Sequence, residues 1–194
     1  MKMAYADPPY LGKAKIFYGK LHEKAGDYDD IGAHRELIIR LCDEFPDGWA
    51  LSASSTSLRQ IMSIVPFTAR MMVWVKPFAS FKPNVNPAYA WEPVFVNGGR
   101  PRTRQQETVR DWVSANITLQ TGTPGAKPPE FCRWLFEVLN LEPGDSLTDM
   151  FPGSGNVERA WQLYRKNMKL PFIQSPERAG EKEETQGEMD GAFY

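Results

Sequence analysis

Two stretches decide the fold: MKMAYADPPY, Met1–Tyr10, and DSLTDMFPGSGN, Asp145–Asn156. Each begins as a short strand and ends in residues that cannot continue one. Lys2–Ala6 runs into Asp7-Pro8-Pro9-Tyr10. Two consecutive prolines lack ladder donors, so the strand stops there. Ser146–Phe151 runs into the tight loop Pro152-Gly153-Ser154-Gly155, and a helix is expected over Val157–Met168.

The same alternation continues outward. His34–Phe45 places Leu37, Ile38, Leu41, Cys42 and Phe45 on one helical face, and Pro46-Asp47-Gly48 ends it. Trp49–Ala53 reads as a strand and Ser57–Val65 as a helix. Arg70–Lys76 and Tyr89–Val96 read as strands, the second as an edge or bulged strand because it contains Pro93. Glu130–Leu139 follows Pro128-Pro129, as a helix after its first-turn proline does, with Phe131, Trp134, Leu135 and Val138 on one face. Leu170–Ile173 is expected as a last short strand. Gly12–Asp30 is polar and reads as a long loop. Strands alternating with helices predict an α/β fold with a mostly parallel sheet and helices on both faces.

Composition bounds the answer further. The chain has 194 residues, 42% apolar and 12% aromatic, enough for one real core and incompatible with a wholly disordered chain. No apolar run is long enough for a membrane span, and the start lacks the apolar region of a signal peptide. A cytoplasmic protein is the expectation. Two cysteines and two histidines, widely spaced, argue against a disulfide scaffold and against a structural metal site. The net charge of −1 is uneven: Ser175–Tyr194 carries −4 and residues 1–174 carry +3. The first is expected to be a disordered acidic tail, the second a mildly basic folded body compatible with a nucleic-acid partner.

Two loops sit where open α/β sheets bind ligands, at the carboxyl ends of strands. In Asp149–Asn156, glycine lets the backbone approach a ligand, and the next helix offers free N–H groups. Asp149 there could accept hydrogen bonds from a ligand amine or hydroxyl. The loop lacks the Gly-Lys-Ser/Thr ending of a Walker loop and the third glycine of the dinucleotide fingerprint. In Asp7-Pro8-Pro9-Tyr10, stiff backbone fixes a carboxylate, a carbonyl and an aromatic ring in one corner. The plain alternative is an ordinary proline turn with an exposed tyrosine.

Together the motifs carry a resemblance. Asp7-Pro8-Pro9-Tyr10 resembles the catalytic motif of amino-methyltransferases that modify exocyclic amines of bases, and DMFPGSG resembles their S-adenosylmethionine loop. Lys127-Pro128, the helix after it, and Pro143-Gly144-Asp145 resemble the segment preceding that loop. Catalytic motif first and cofactor loop last is the permuted order of the β-group of DNA methyltransferases. The resemblance implies a Rossmann-like methyltransferase fold over residues 1–174, with a small target-recognition insert at about 97–126. It implies S-adenosylmethionine as cofactor, DNA as partner, and a bacterial or phage-infected cell as setting. It further implies that Asp7, Pro8, Pro9 and Tyr10 are catalytic, and that Asp149, Phe151, Gly153, Ser154, Gly155, Lys127 and Pro128 line the cofactor.

By the same resemblance, the substrate is adenine N6, since aspartate rather than serine opens the motif. Cytosine N4, an RNA or tRNA base, and a non-catalytic nucleic-acid-binding role are the alternatives. The base would leave the duplex stack and meet Tyr10. The family usually has an acid for the cofactor ribose after the next strand, whereas Gln174-Ser175-Pro176-Glu177 follows here. Arg100, Arg102, Arg104 and Arg110 form the clearest basic cluster and are the expected nucleic-acid contacts, with Lys13, Lys15, Lys20 and Lys24 as further candidates; a solvated surface loop is the bland reading. The insert is too short for a separate recognition domain. A stripped catalytic module is expected, reading a short site through Arg100–Arg110 or borrowing specificity from a second copy or a partner subunit.

Overall fold

A computed structural model of the chain describes residues 1–15, 23–79, 83–117 and 126–169. The expected Leu170–Ile173 strand, the Gln174–Glu177 segment, the acidic tail, Lys20 and part of the 97–126 insert lie outside these residues. Six strands form one sheet: β1 (Lys2–Ala6), β2 (Gly48–Ser52), β3 (Arg70–Val75), β4 (Trp91–Gly98), β5 (Trp112–Ser114) and β6 (Ser146–Asp149). Among the described residues, four α-helices flank it: α1 (Ile31–Glu44), α2 (Leu58–Met62), α3 (Pro129–Leu139) and α4 (Asn156–Lys169). A 3-10 turn over Glu23–Asp29 interrupts what reads in the sequence as one loop. No described helix is long and apolar enough to cross a membrane.

The sheet order is β5-β3-β4-β2-β1-β6. β1 lies parallel to β2 and to β6, and β3 parallel to β5, while β4 is antiparallel to both β2 and β3. Five strands therefore point one way and β4 alone the other, so the sheet is mostly parallel.

Alternation along the strands explains the two-sided burial. Met3 and Tyr5 of β1 join Ala50, Val94 and Val96 in a core beneath α3 and α4. Ala4 and Ala6 join Trp49, Leu51 and Phe95 in a second core beneath α1. Successive side chains of a strand leave opposite faces, and strands covered on both faces read as continuous apolar runs. Leu37, Ile38 and Leu41 of α1, with its C-cap residue Phe45, meet the second core on the predicted face.

Pro93 corrects the expectation of an edge strand, because β4 is interior. The Pro93 carbonyl accepts the Ala53 N–H at 3.0 Å, one residue past the last β2–β4 pair, Ser52 with Val94. The missing N–H thus falls at the last β2–β4 contact, where β2 leaves the ladder, and costs at most its terminal bond. The short α2, preceded by a 3-10 turn at Ser55–Ser57, replaces the longer helix expected over Ser57–Val65. The turn after β4 needs its glycines: Gly98 and Gly99 have φ of +69° and +94°, and a Cβ on Gly98 would lie 2.9 Å from the Asp47 carbonyl.

Candidate active site

The parallel pairing of β1 with β6 brings the two chemical loops together. Tyr5 lies beside Asp149, and the Met150 N–H donates to the Tyr5 carbonyl at 2.9 Å. Asp7-Pro8-Pro9-Tyr10 and Asp149–Gly155 therefore leave the same rim of the sheet on neighbouring strands, about 4.8 Å apart at the backbone. Gly153 and Gly155 hold φ of +45° and +71°, which turn the loop into α4. The Phe151 N–H donates to Asp149 Oδ1 at 3.1 Å. The Phe151 ring packs edge-on against Tyr28, centroids 5.4 Å apart, so the 3-10 turn over Glu23–Asp29 braces the Asp149–Gly155 loop. Pro128 caps α3 and is buried.

Asp7 and Tyr10 belong to a compact charged cluster. Lys127 Nζ lies 3.0 Å from Asp7 Oδ1, 3.2 Å from the Tyr10 hydroxyl and 3.3 Å from Glu92 Oε2. The Tyr10 hydroxyl lies 2.8 Å from Glu92 Oε2 and 3.2 Å from Asp7 Oδ1. Lys76 pairs with the other oxygen, Glu92 Oε1. Lys127 is buried with only 5% of its side chain exposed, and its ammonium also lies 5.3 Å from the Trp74 ring centroid and 5.7 Å from that of Phe131. Two carboxylates and two ammonium groups make the cluster electrically neutral, the condition under which buried charge is tolerated.

The titration directions follow from this arrangement. Burial pushes the Asp7 carboxyl up, with Glu92 adding to the rise and Lys127 opposing it. Burial also acts to raise Glu92, but Lys127 and Lys76 outweigh it and hold that carboxyl at about 2. For Lys127, burial works against the charge, and Asp7 and Glu92 reverse it, holding the ammonium well above its ordinary range. Asp149, with no cation beside it among the described residues, is pushed up to about 6 by burial, with a further rise from Asp7 and Glu158.

Of the residues the sequence singles out, the structure groups Asp7, Pro8, Pro9, Tyr10, Lys127 and Pro128 beside the Asp149–Gly155 loop. Lys127 points its ammonium at Asp7 and Glu92. Lys76 and Glu92 were not anticipated, although a lone acid within WEPVFV and a lysine closing MMVWVK are the signals that could have found them.

The arginine segment lies elsewhere. β4 runs against β1, so the residues following Gly98 emerge at the rim where β1 and β6 begin. Arg100 is held there by Asp145 at 2.8 Å and Glu142 at 3.3 Å. Asp145 also binds the Met1 ammonium at 2.6 Å. Burial would raise the Asp145 carboxyl, yet these partners bring it down to about 2. Arg102 donates to the Glu107 and Glu137 carbonyls, and Arg110 stacks over Trp112 with its guanidinium 5.3 Å from the ring centroid. Arg100–Arg110 and the Asp7 corner are thus at opposite ends of the strands.

No protein-family model and no curated protein matches the sequence. Among solved structures the chain is similar to the M1.HpyAVI-SAM complex, at 16% identity over 84% of this chain and 78% of that one, with a TM-score of 0.58. It is similar to M1.HpyAVI alone at 15% identity over 84% and 76% of the two chains, with a TM-score of 0.50. The architecture shared with them is a Rossmann-like fold: a mostly parallel sheet between helical layers.

Proposed function

We propose that this chain transfers the methyl group of S-adenosylmethionine to the exocyclic N6 amine of adenine in DNA. The observation that carries the reading is the β1–β6 adjacency, which sets a rigid carboxylate corner beside a glycine loop at one rim of the sheet. The similarity in fold to a SAM-bound protein supports it.

The residues of the loop fit the cofactor. Asp149 spends one oxygen on the Phe151 N–H, and Oδ2 has no hydrogen-bond partner among the described residues. An amine or hydroxyl of the ligand can donate to it. Gly153 and Gly155 present bare backbone at positive φ, where a side chain would obstruct approach. S-adenosylmethionine supplies the methyl group on a sulfonium; this chain supplies alignment and proton handling. Asp7 offers Oδ2, its Oδ1 being taken up by Lys127 and Tyr10. The Pro8 carbonyl has no competing N–H on Pro9. Two such acceptors hold the amine hydrogens and favour a tetrahedral nitrogen, which frees its lone pair for methyl transfer. The nitrogen gains the methyl and a positive charge, which the same oxygens stabilise. One amine proton then passes to Asp7, a carboxylate that burial has made a better proton acceptor.

Nucleoside mass spectrometry of DNA and RNA from cells overexpressing the chain tests the reading. N6-methyladenine in DNA is the expected product. Methylated RNA bases or N4-methylcytosine would redirect the substrate assignment, and no modification in either nucleic acid would overturn it.

The pH dependence of cofactor binding is a separate expectation. Asp149 is a charged, strong acceptor only when ionised, and its carboxyl titrates at about 6. Isothermal titration between pH 5 and 8 should show S-adenosylmethionine binding tighten as pH rises through about 6. Binding that stays level across that range would remove Asp149 from the contact.

A further inference from the structure

Glu92 reaches the active rim because β4 alone runs backward. The other strands end at that rim, whereas β4 starts there, so a residue near the beginning of a strand arrives beside residues that follow the ends of others. Lys127 has three ammonium protons and three oxygens within reach, on Asp7, Tyr10 and Glu92, at 3.0, 3.2 and 3.3 Å. Tyr10 has one proton, and its nearer acceptor is Glu92 at 2.8 Å rather than Asp7 at 3.2 Å. Glu92 is joined to Asp7 only through these two side chains, since no direct hydrogen bond links the carboxylates.

We propose that Glu92 is a positioning residue for methyl transfer: its carboxylate holds the Lys127 ammonium and the Tyr10 hydroxyl so that Asp7 keeps one oxygen for the substrate amine. The inference rests on the amino-methyltransferase reading above and adds a residue to it.

The consequence of losing that charge has a definite sign. With Glu92 neutral, Lys127 keeps Asp7 as its one carboxylate partner. Lys127 turns more fully to Asp7, and Tyr10 is released to donate there too. Both changes satisfy the Asp7 carboxylate and weaken it as an acceptor. The groups facing Asp7 are Tyr5 of β1, Tyr10 after it, Glu92 of β4, Lys127 ahead of α3 and Asp149 of β6. Among them Glu92 acts to raise the Asp7 carboxyl and Lys127 to lower it. Removing the first leaves the second, so the pH at which Asp7 ionises falls.

The test uses Glu92→Gln, which keeps size and an acceptor oxygen, and Glu92→Asp, which keeps the charge. Methylation of adenine-unmethylated bacterial DNA is followed with labelled S-adenosylmethionine across pH. Glu92→Gln should lower kcat about 10- to 100-fold with little change in the cofactor KM. The acid limb of its profile should move to lower pH, and Glu92→Asp should restore the limb and part of the rate. A wild-type rate, or a lower rate with an unmoved limb, overturns the proposal, because a merely structural glutamate would not shift that limb. A carboxyl 13C NMR titration of Asp7 reads the same coupling without catalysis: its midpoint falls in Glu92→Gln, and an unchanged midpoint overturns the proposal. If the wild-type protein methylates no DNA, the functional reading fails while the titration still decides the coupling. Should Glu92→Gln not fold, Lys76→Met gives the reverse test. Without Lys76, Glu92 relies on Lys127 alone and draws it from Asp7, so the Asp7 midpoint moves to higher pH, and a fixed midpoint counts against the proposal.

Discussion

Methyl transfer by Asp7→Ala should fall by about three orders of magnitude, within the range seen when one preorganised electrostatic partner of a reacting group is removed. The Asp7 carboxylate is the acceptor proposed both to hold the amine and to stabilise the charge that develops on it. No neighbour substitutes: Glu92 has both oxygens committed to Lys76, Lys127 and Tyr10, and Asp149 belongs to the adjacent strand. The fold should survive, because Lys127 retains Glu92 and Tyr10 as partners. Single-turnover assays with labelled cofactor, alongside far-ultraviolet circular dichroism, measure both quantities. A folded Asp7→Ala protein retaining more than about a tenth of the wild-type rate would rule out the mechanism proposed here.

Lys127→Met is expected to carry the largest stability cost in the chain. It removes the cation shared by Asp7 and Glu92, whose side chains are 21% and 15% exposed, and leaves Lys76 as the remaining ammonium of the cluster. Breaking a buried ion pair by deleting one partner typically costs about 3–5 kcal/mol. In a chain of this size that is a fall in Tm on the order of 10 °C. The pH dependence has a fixed sign. Glu92 titrates at about 2 in the folded wild type, below its ordinary value of 4.5, so it contributes stability above that value which is lost as pH falls through about 2. Lys127 is a main source of that depression. The variant should therefore lose most stability near neutral pH, and the gap from wild type should narrow on acidification as the uncompensated carboxylates protonate. Calorimetric melts at neutral and mildly acidic pH check this. A variant within about 1 kcal/mol of wild type at neutral pH would show that the cluster is better solvated than its burial implies.

Local pattern made some of this legible and hid the rest. Lys2–Ala6 was readable as a strand end to end, because an apolar run closed by two prolines has few alternatives. α3 was readable from Phe131, Trp134 and Leu135 at helical spacing after a first-turn proline. Pro93 misled because the cost of proline in a sheet depends on whether its nitrogen faces a partner, which is a matter of where β2 stops. Arg100 reads as a phosphate contact by residue type; its partners Asp145 and Glu142, more than 40 residues away, were not legible. Glu92 could be seen as an acid in an apolar strand, but its meeting with Lys127 depends on the reversal of β4. The Asp7–Tyr10 corner was legible as a motif because its residues are contiguous; the charges around it were not, because the sheet topology brings them there.

The pairing of β1 with β6 also has a consequence for biosynthesis. Lys2 and Ser146 are ladder partners separated by nearly the whole described chain. Such a contact closes one of the longest loops the polypeptide can form, and topologies rich in distant pairings fold slowly. A ribosome therefore exposes Asp7 and Tyr10 early, with the Asp149 loop still to be made. The Asp7–Tyr10 segment thus waits for partners made much later, and it meets the Asp149 loop in a late step when the sixth strand docks.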